Sequence, residues 1–323
     1  MRCLFQNNTL YLLRMTMNTE YDVIIIGAGV AGMSAALNCR RAEKSVLLLE
    51  GDCVGGQTAI SPKVENYPTK QQIAGSDLVD EIFNQVMEWG AEFDLDKVEN
   101  VTGLDDGSFE VKCEYSTHTA KSIIIATGAH HRTMGIAREE ELVGKGVSYC
   151  AICDGAFYSG EDVVVIGDAN TALQYANLLS GYCKSVHICT LFDKFFGDKA
   201  LVSSVLSKPN VRYTHNLALK EFVGDDELTE LVFENTISKD KVSIPCKGVF
   251  ICIGQIPHND CVKDLVELDK NGYVVADESC CTSCPGVFVA GDCRTKKVRQ
   301  VVTAIADGSV AGFNCCQYID SLN

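Results

Sequence analysis

The apolar residues of this chain come in short blocks closed by turn residues, and two of these blocks repeat. Residues 23–50, VIIIGAGVAGMSAALNCRRAEKSVLLLE, align without gaps with residues 163–190, VVVIGDANTALQYANLLSGYCKSVHICT, at an offset of 140. Each copy reads as a buried strand, a tight turn, a helix, and a second strand beginning at Ser45-Val46 or Ser185-Val186. Short β-branched runs that feed a helical pattern are the signature of a βαβ unit. Two such units predict an α/β chain with two Rossmann-like, doubly wound domains on parallel sheets. Two later blocks read as further strands. Residues 123–128, IIIATG, end at a glycine turn, and residues 286–292, GVFVAGD, end in an acid.

The two turns differ in what they can bind. In the first copy Gly27, Gly29 and Gly32 form G-x-G-x-x-G between strand and helix, around Val30 and Ala31. The second glycine lets backbone approach a pyrophosphate, and the helix aims its positive N-terminus at it. Glu50 ends the second strand, 18 residues after Gly32, where a carboxylate can accept from ribose hydroxyls. This first turn is therefore expected to hold a dinucleotide. The second copy has Asp168 and Ala169 in the phosphate-facing positions and Thr190 in place of Glu50. Residues 191–196, LFDKFF, offer one lysine and no arginine for a 2′-phosphate. The scaffold is expected to persist there without its nucleotide site.

At 323 residues, 46% hydrophobic and 22% charged, the chain has room for two globular cores. Its net charge of −15 argues against nonspecific nucleic-acid binding. No apolar run approaches the roughly 20 residues that span a bilayer. Residues 1–19, MRCLFQNNTLYLLRMTMNT, read as an N-terminal extension whose apolar patch, Leu10 to Leu13, is too short for a signal sequence. Met15 or Met17 could serve as alternative starts. The 17 cysteines lack the context of a secreted disulfide framework, so most are expected to be small buried hydrophobes in a reducing cytoplasm.

One cysteine pair stands apart: Cys150-Ala151-Ile152-Cys153-Asp154-Gly155. A two-residue spacer lets both sulfurs approach at the first turn of a helix, and Asp154 is placed to relay a proton as a disulfide opens. Zinc is the competing reading of a C-x-x-C, and it would need a second ligand pair such as Cys281 and Cys284, beside Cys280. No acid or helix start accompanies that second pair, and no metal is expected. His130-His131 reads as hinge packing or solvent exposure, and Cys315-Cys316 as core plus neighbour.

From Tyr21 to Ile319 these features, with Gly55-Gly56-Gln57 and Val64-Glu65-Asn66-Tyr67-Pro68, resemble the low-molecular-weight thioredoxin reductases, a family of flavoprotein disulfide reductases. The resemblance implies a discontinuous FAD-binding domain, residues 20–132 and 255–323, and an inserted domain, 133–254, that carries the redox disulfide. It implies FAD at the first turn, held by Gly27, Gly29, Val30, Ala31, Gly32, Glu50, Gly51, Gly55, Gly56, Gln57, Asn66, Val98, Thr127, Gly128, Asp292, Arg299, Gln300 and Val301. Cys150, Cys153 and Asp154 would be catalytic, with Cys153 facing the flavin and Cys150 attacking the disulfide of thioredoxin. Family members are homodimers in which the inserted domain rotates, here about hinges near Arg132-Thr133 and Gly254-Gln255.

A sound FAD turn, a sound cysteine pair and a degraded second turn are similar to the ferredoxin-dependent flavin thioredoxin reductases. That likeness implies reduced ferredoxin as electron donor and thioredoxin as acceptor. An NADPH-dependent reductase with an atypical site, an FAD-dependent dithiol oxidase, and a flavin-bound sensor or scaffold are the alternatives. Ferredoxins are acidic, as is this chain, but Arg294, Lys296, Lys297 and Arg299 lie together near the expected flavin. That strip is expected to dock ferredoxin, and charge reversal at Lys296 and Lys297 to slow flavin reduction.

Overall fold

The structure, a computed structural model, describes residues 19–61 and 64–322. Apart from Thr19, the N-terminal extension read in the sequence lies outside the described residues. The described residues divide into two compact units, one from residues up to 130 together with those from 256 on, the other residues 131–255.

The first unit begins with strand β1 (Glu20–Ile26), helix α1 (Val30–Arg41), strand β2 (Val46–Glu50), helix α2 (Gly75–Glu88) and strand β3 (Glu92–Leu95). Strands β4 (Val98–Gly103), β5 (Phe109–Cys113) and β6 (Thr117–Ile125) follow, and β7 (Ala129–His131) lies at the crossing. The second unit holds β8 (Val147–Ser148), the short helix α3 (Ala151–Asp154), β9 (Asp162–Ile166), helix α4 (Asn170–Leu179) and β10 (Ser185–Cys189). It continues with helix α5 (Lys199–Leu206), β11 (Val211–Thr214), β12 (Leu217–Val223), β13 (Glu230–Asn235), β14 (Lys241–Pro245) and β15 (Gly248–Ile251). Strand β16 (Gln255–Pro257) pairs with β7 as the chain returns, and β17 (Val287–Val289) and the long helix α6 (Val301–Ser321) close the first unit.

The internal repeat extends to topology. In the first unit β3, β2, β1 and β6 lie side by side, and β17 pairs with β6. In the second the order is β11, β10, β9, β15, β8. Counting from the first strand of each repeat, both place the third, second, first and fourth strands side by side, all parallel, but the outer strand is the late β17 in the first sheet and β8, which precedes the repeat, in the second. The parallel-sheet expectation needs one amendment. Strand β6 is nine residues long, and while its C-terminal part pairs in parallel with β17, its N-terminal part pairs antiparallel with β5. The first sheet is therefore mixed, and the second unit carries the matching antiparallel strands β12, β13 and β14 as a separate sheet.

The apolar runs are continuous because both faces of the parallel strands are covered. Val23, Ile25, Val46, Leu48 and Ile124 pack on the α1 and α6 side, while Ile24, Ile26, Leu47, Leu49, Ile123 and Ile125 build the opposite core. Helices α1 and α6 approach backbone to backbone. A Cβ on Gly308 would sit 2.1 Å from the Ala31 carbonyl oxygen, and one on Gly312 would sit 3.0 Å from that of Ala35. No helix of the described residues is long and apolar enough to cross a membrane.

This contact generates a stability prediction. Gly308→Ala puts a methyl group into a carbonyl that cannot swing away as a flexible side chain would, so the helices must separate. The loss should be about 1–3 kcal/mol, the cost of overpacking a close-packed core, read as a lowered midpoint in chemical denaturation.

Candidate functional site

In the first unit the expected cofactor residues gather at the carboxyl ends of β1, β2, β6 and β17, the edge at which doubly wound sheets bind ligands. Gly27 has φ +107°, and a Cβ there would meet the Ala126 carbonyl oxygen at 2.3 Å, which brings Thr127 and Gly128 beside the finger. Gly29 is the N-cap of α1, and a Cβ on it would meet nothing within 4 Å. Open space lies over this glycine, and no acidic residue occupies the first helical turn. The amides of Val30, Ala31 and Gly32 have no acceptor within the helix, as in any first turn. This is the cradle a pyrophosphate requires.

Glu50 is built into the turn. One carboxylate oxygen accepts from the Ala28 amide at 2.8 Å, the other from the amides of Gly51 and Asp52 at 2.9 and 3.0 Å. The oxygen that meets Ala28 keeps a lone pair for a ribose hydroxyl. The Gly55 amide donates to the Ala28 carbonyl at 2.8 Å, which fastens the Gly55-Gly56-Gln57 turn to the finger. Gly55 has φ +89°, and a Cβ there would strike Val79 at 2.5 Å. Gln57 is exposed. Val98 sits at the start of β4, next to Lys97, which packs on Gly51.

The C-terminal segment completes this edge. Asn66 donates to the Gln300 side-chain oxygen at 2.8 Å. Gln300 caps α6 in a reciprocal capping box with Thr303, so Val301 opens the helix. The buried Asn259, which sequence reasoning missed, accepts from Thr127 Oγ1 at 2.7 Å and donates to the carbonyls of Gly272 and Cys293. Oδ1 of Asp292 is buried with no hydrogen-bond partner, and burial pushes its carboxyl up to about 6, against the pull of Lys296 and Arg299. A buried orphan acceptor beside an open glycine turn fits the hydroxyl- and phosphate-rich linker of FAD.

The reading of residues 294–299 as a free cationic strip is corrected. Arg294 is only 2% exposed and makes two bonds to the Asp307 carboxylate, both at 2.9 Å. Lys296 reaches the same carboxylate at 2.8 Å and is also buried. Arg299 lies 4.4 Å over the Tyr273 ring and donates to the carbonyls of Asp292 and Arg294. Of the four cations, only Lys297 is exposed. The carboxylate that draws them inward stands mid-helix among apolar residues, a placement that costs energy unless the acid is paired. Burial pushes the Asp307 carboxyl up, but its bonds to Arg294 and Lys296 outweigh this and hold it below the ordinary value.

In the second unit Cys150 and Cys153 form a disulfide with 5.3 Å between their Cα atoms. Cys150 is the N-cap of α3, a helix of only four residues, and its sulfur accepts from the Cys153 amide at 3.2 Å. Ser148 holds the site together. Its hydroxyl donates to Asp154 Oδ2 at 2.6 Å and accepts from the Cys150 amide at 3.0 Å. Asp154 Oδ1 is buried without a partner, and burial pushes the carboxyl up, partly offset by the Ser148 bond. Such an acid retains a proton over a wider pH range, as an opening disulfide requires.

The second finger keeps its frame and is covered by its own chain. Gly167 has φ +148° and packs on the Cys252 carbonyl. The Phe196 amide donates to the Asp168 carbonyl at 2.7 Å. Asn170 donates to Asp198 Oδ2 at 3.1 Å and accepts from the Asp198 amide at 2.8 Å. Thr190, at the position matching Glu50, is fully buried and bonds the Phe192 carbonyl and His215 Nδ1, both at 2.7 Å. Segment 192–198 thus lies over the α4 N-terminus, where a dinucleotide would enter.

Among the described residues no group of three or more histidine, cysteine or acidic side chains could hold a metal ion. Cys281 is exposed and Cys284 half-buried, and their thiols lie against the Ser279 and Pro285 carbonyls respectively. His130 packs edge-on to His258, and His131 stacks on Tyr149.

Residues 21–308 match the pyridine nucleotide-disulphide oxidoreductase family. The chain is 40% identical over 304 residues to a thioredoxin reductase of Listeria innocua, covering 94% of this chain and 95% of that one. It is 35% identical over 304 residues to the thioredoxin reductase of Bacillus subtilis, covering 94% and 96%. Among solved structures, a thioredoxin reductase from Streptococcus pyogenes superposes with a TM-score of 0.90 at 34% identity, covering 94% of this chain and all of that one. The thioredoxin reductase of Giardia duodenalis gives 0.89 at 29% identity, with the same coverage.

Two outcomes follow from the buried carboxylates. Asp307→Asn strands Arg294 and Lys296 without a counter-charge and should cost about 3–5 kcal/mol, measured by denaturant unfolding. Because the wild-type carboxyl is held below its ordinary value, the stability it contributes is present above pH 3.8 and lost as pH falls through the lowered value. Ser148→Ala removes the hydroxyl that favours ionised Asp154. The pH at which Asp154 ionises should rise by about one unit, followed by its carboxyl infrared band, and Ser148→Thr should restore it.

Proposed function

Because this chain belongs to the low-molecular-weight thioredoxin reductase family, and thus to the FAD-binding flavoproteins, we propose that it is a thioredoxin reductase whose electrons come from reduced ferredoxin rather than from NADPH. The observation that carries this reading is the second finger, where Phe196 and Asp198 of the chain itself engage Asp168 and Asn170. A nucleotide pyrophosphate would have to displace those bonds, meet the Asp168 carboxylate, and do so without an acid or arginine at the ribose position. Each of these opposes binding.

FAD, when bound at the first finger, supplies the store that takes single electrons from a one-electron carrier and delivers a pair to the Cys150–Cys153 disulfide. Gly29 and the amides of Val30, Ala31 and Gly32 take the pyrophosphate, Glu50 the adenosine ribose, and Asp292 a hydroxyl of the linker. Once the cysteine pair is reduced, the Cys150 thiolate attacks one sulfur of the thioredoxin disulfide, and the other sulfur leaves as a thiolate. Cys153 then attacks Cys150, restoring the disulfide and releasing dithiol thioredoxin. Asp154 holds and returns the proton that the thiolates require, and Ser148 fixes its carboxylate. The working enzyme is read as a cytoplasmic homodimer.

Anaerobic titration of the purified flavoprotein tests the donor. Reduced ferredoxin should bleach the flavin band and added oxidised thioredoxin should restore it, while NADPH and NADH should leave the band unchanged over minutes. Prompt bleaching by either pyridine nucleotide overturns the reading.

A further inference from the structure

Helices α1 and α6 are in parallel register, and the register is visible in their contacts. Gly308 lies on Ala31 and Gly312 on Ala35, a step of four residues along both helices. Ser34 and Asn38, on the same side, bond to Ser309. The next step places Cys39 against Cys316. The Cys39 thiol lies 3.7 Å from the Gly312 carbonyl oxygen, one turn below Cys316, and within hydrogen-bonding reach of both Cys315 and Cys316. Cys315 also reaches β6, its thiol 3.1 Å from Ser122 Oγ. Helices that meet through glycine bring facing Cα atoms close enough for the roughly 4.4–6.8 Å a disulfide needs.

The two thiols are chemically unequal. Cys39 is fully buried, and its neighbouring thiols together with burial push it up. Cys316 is 6% exposed, on the turn where Lys44 pairs with Asp320, and the hydrogen bond from Cys39, aided by Lys44, pulls it down. That division gives one sulfur the nucleophile's part and leaves the other to resolve.

We propose that Cys39 and Cys316 form a second, peroxide-responsive dithiol that closes to a disulfide and staples the FAD-finger helix α1 to the C-terminal helix α6. The Cys316 thiolate attacks one oxygen of a hydroperoxide, the O–O bond breaks, and the other oxygen leaves as water or alcohol, giving a sulfenic acid. Cys39 attacks that sulfur, the S–O bond breaks, and a water leaves with the Cys39 proton. Two thiols and one hydroperoxide thus become one disulfide, and two electrons pass to the peroxide. The same two helices carry the first-finger amides and the Gln300–Val301 cap, so closure holds both sides of the cofactor edge together. The proposal does not depend on which carrier reduces the flavin.

The test uses the full-length flavoprotein with Cys150→Ser and Cys153→Ser, so that the active-site pair cannot contribute. Hydrogen peroxide is added until the exposed Cys53 and Cys281 are fully oxidised, and peptides are mapped without reduction. The expected product is a Cys39–Cys316 peptide that disappears with dithiothreitol, together with a Tm raised by about 5 °C. Cys39→Ser and Cys316→Ser, each checked for bound flavin, should abolish both. Finding Cys39 and Cys316 still as thiols, individually over-oxidised, or Cys39 joined to Cys315 would overturn the proposal.

Discussion

Asp307 sits on the buried face of α6, where it accepts two bonds from Arg294, one from Lys296, and one from the Gly291 amide at 3.0 Å. Through these bonds it ties the end of β17, the loop after it, and the helix into one piece. That loop carries Asp292, Arg299 and Gln300 to the finger. A loop of this length would be expected to fluctuate on a surface, but it cannot leave without exposing a guanidinium and an ammonium that have lost their counter-charge. Breaking a buried pair costs far more than an exposed one returns. The unpartnered Oδ1 of Asp292 is tolerable because the knot beside it holds the backbone in place.

The two fingers show how one scaffold can serve opposite ends. Both keep a left-handed glycine where the strand meets the helix, Gly27 and Gly167, because a side chain there would strike a neighbouring backbone carbonyl. That constraint belongs to strand–helix packing and survives the loss of a ligand. Gly29 and Ala169 face outward, and only ligand chemistry requires a glycine there. At the second finger, segment 192–198 lies against the helix end and engages Asp168 and Asn170.

The repeat of residues 23–50 and 163–190 made the strand–turn–helix–strand units legible, because βαβ units write their periods directly into local sequence. The same reading located the Cys150–Cys153 pair and the acid beside it. What it could not see was nonlocal. The mixed character of the first sheet depends on how far β6 extends beyond its partners, and the burial of the Arg294 and Lys296 side chains depends on an acid at position 307. Asp307 did leave a trace, a charged residue on the apolar face of a helix. Asn259 and Ser148 left none, since a lone polar residue in a loop or at a strand end looks the same whether it bonds three partners or water.

This difference between charge counted and charge located bears on recognition. The sequence holds 43 acids and 28 basic residues, and the cluster at 294–299 was its most concentrated positive segment near the expected flavin. With Arg294 and Lys296 turned inward onto the single Asp307 carboxylate, and Arg299 stacked on Tyr273, that segment presents one exposed lysine to solvent. Two acidic proteins that meet there have no strip of free cations to offset their repulsion. The internal cations instead hold β17, the loop after it and α6 together through Asp307.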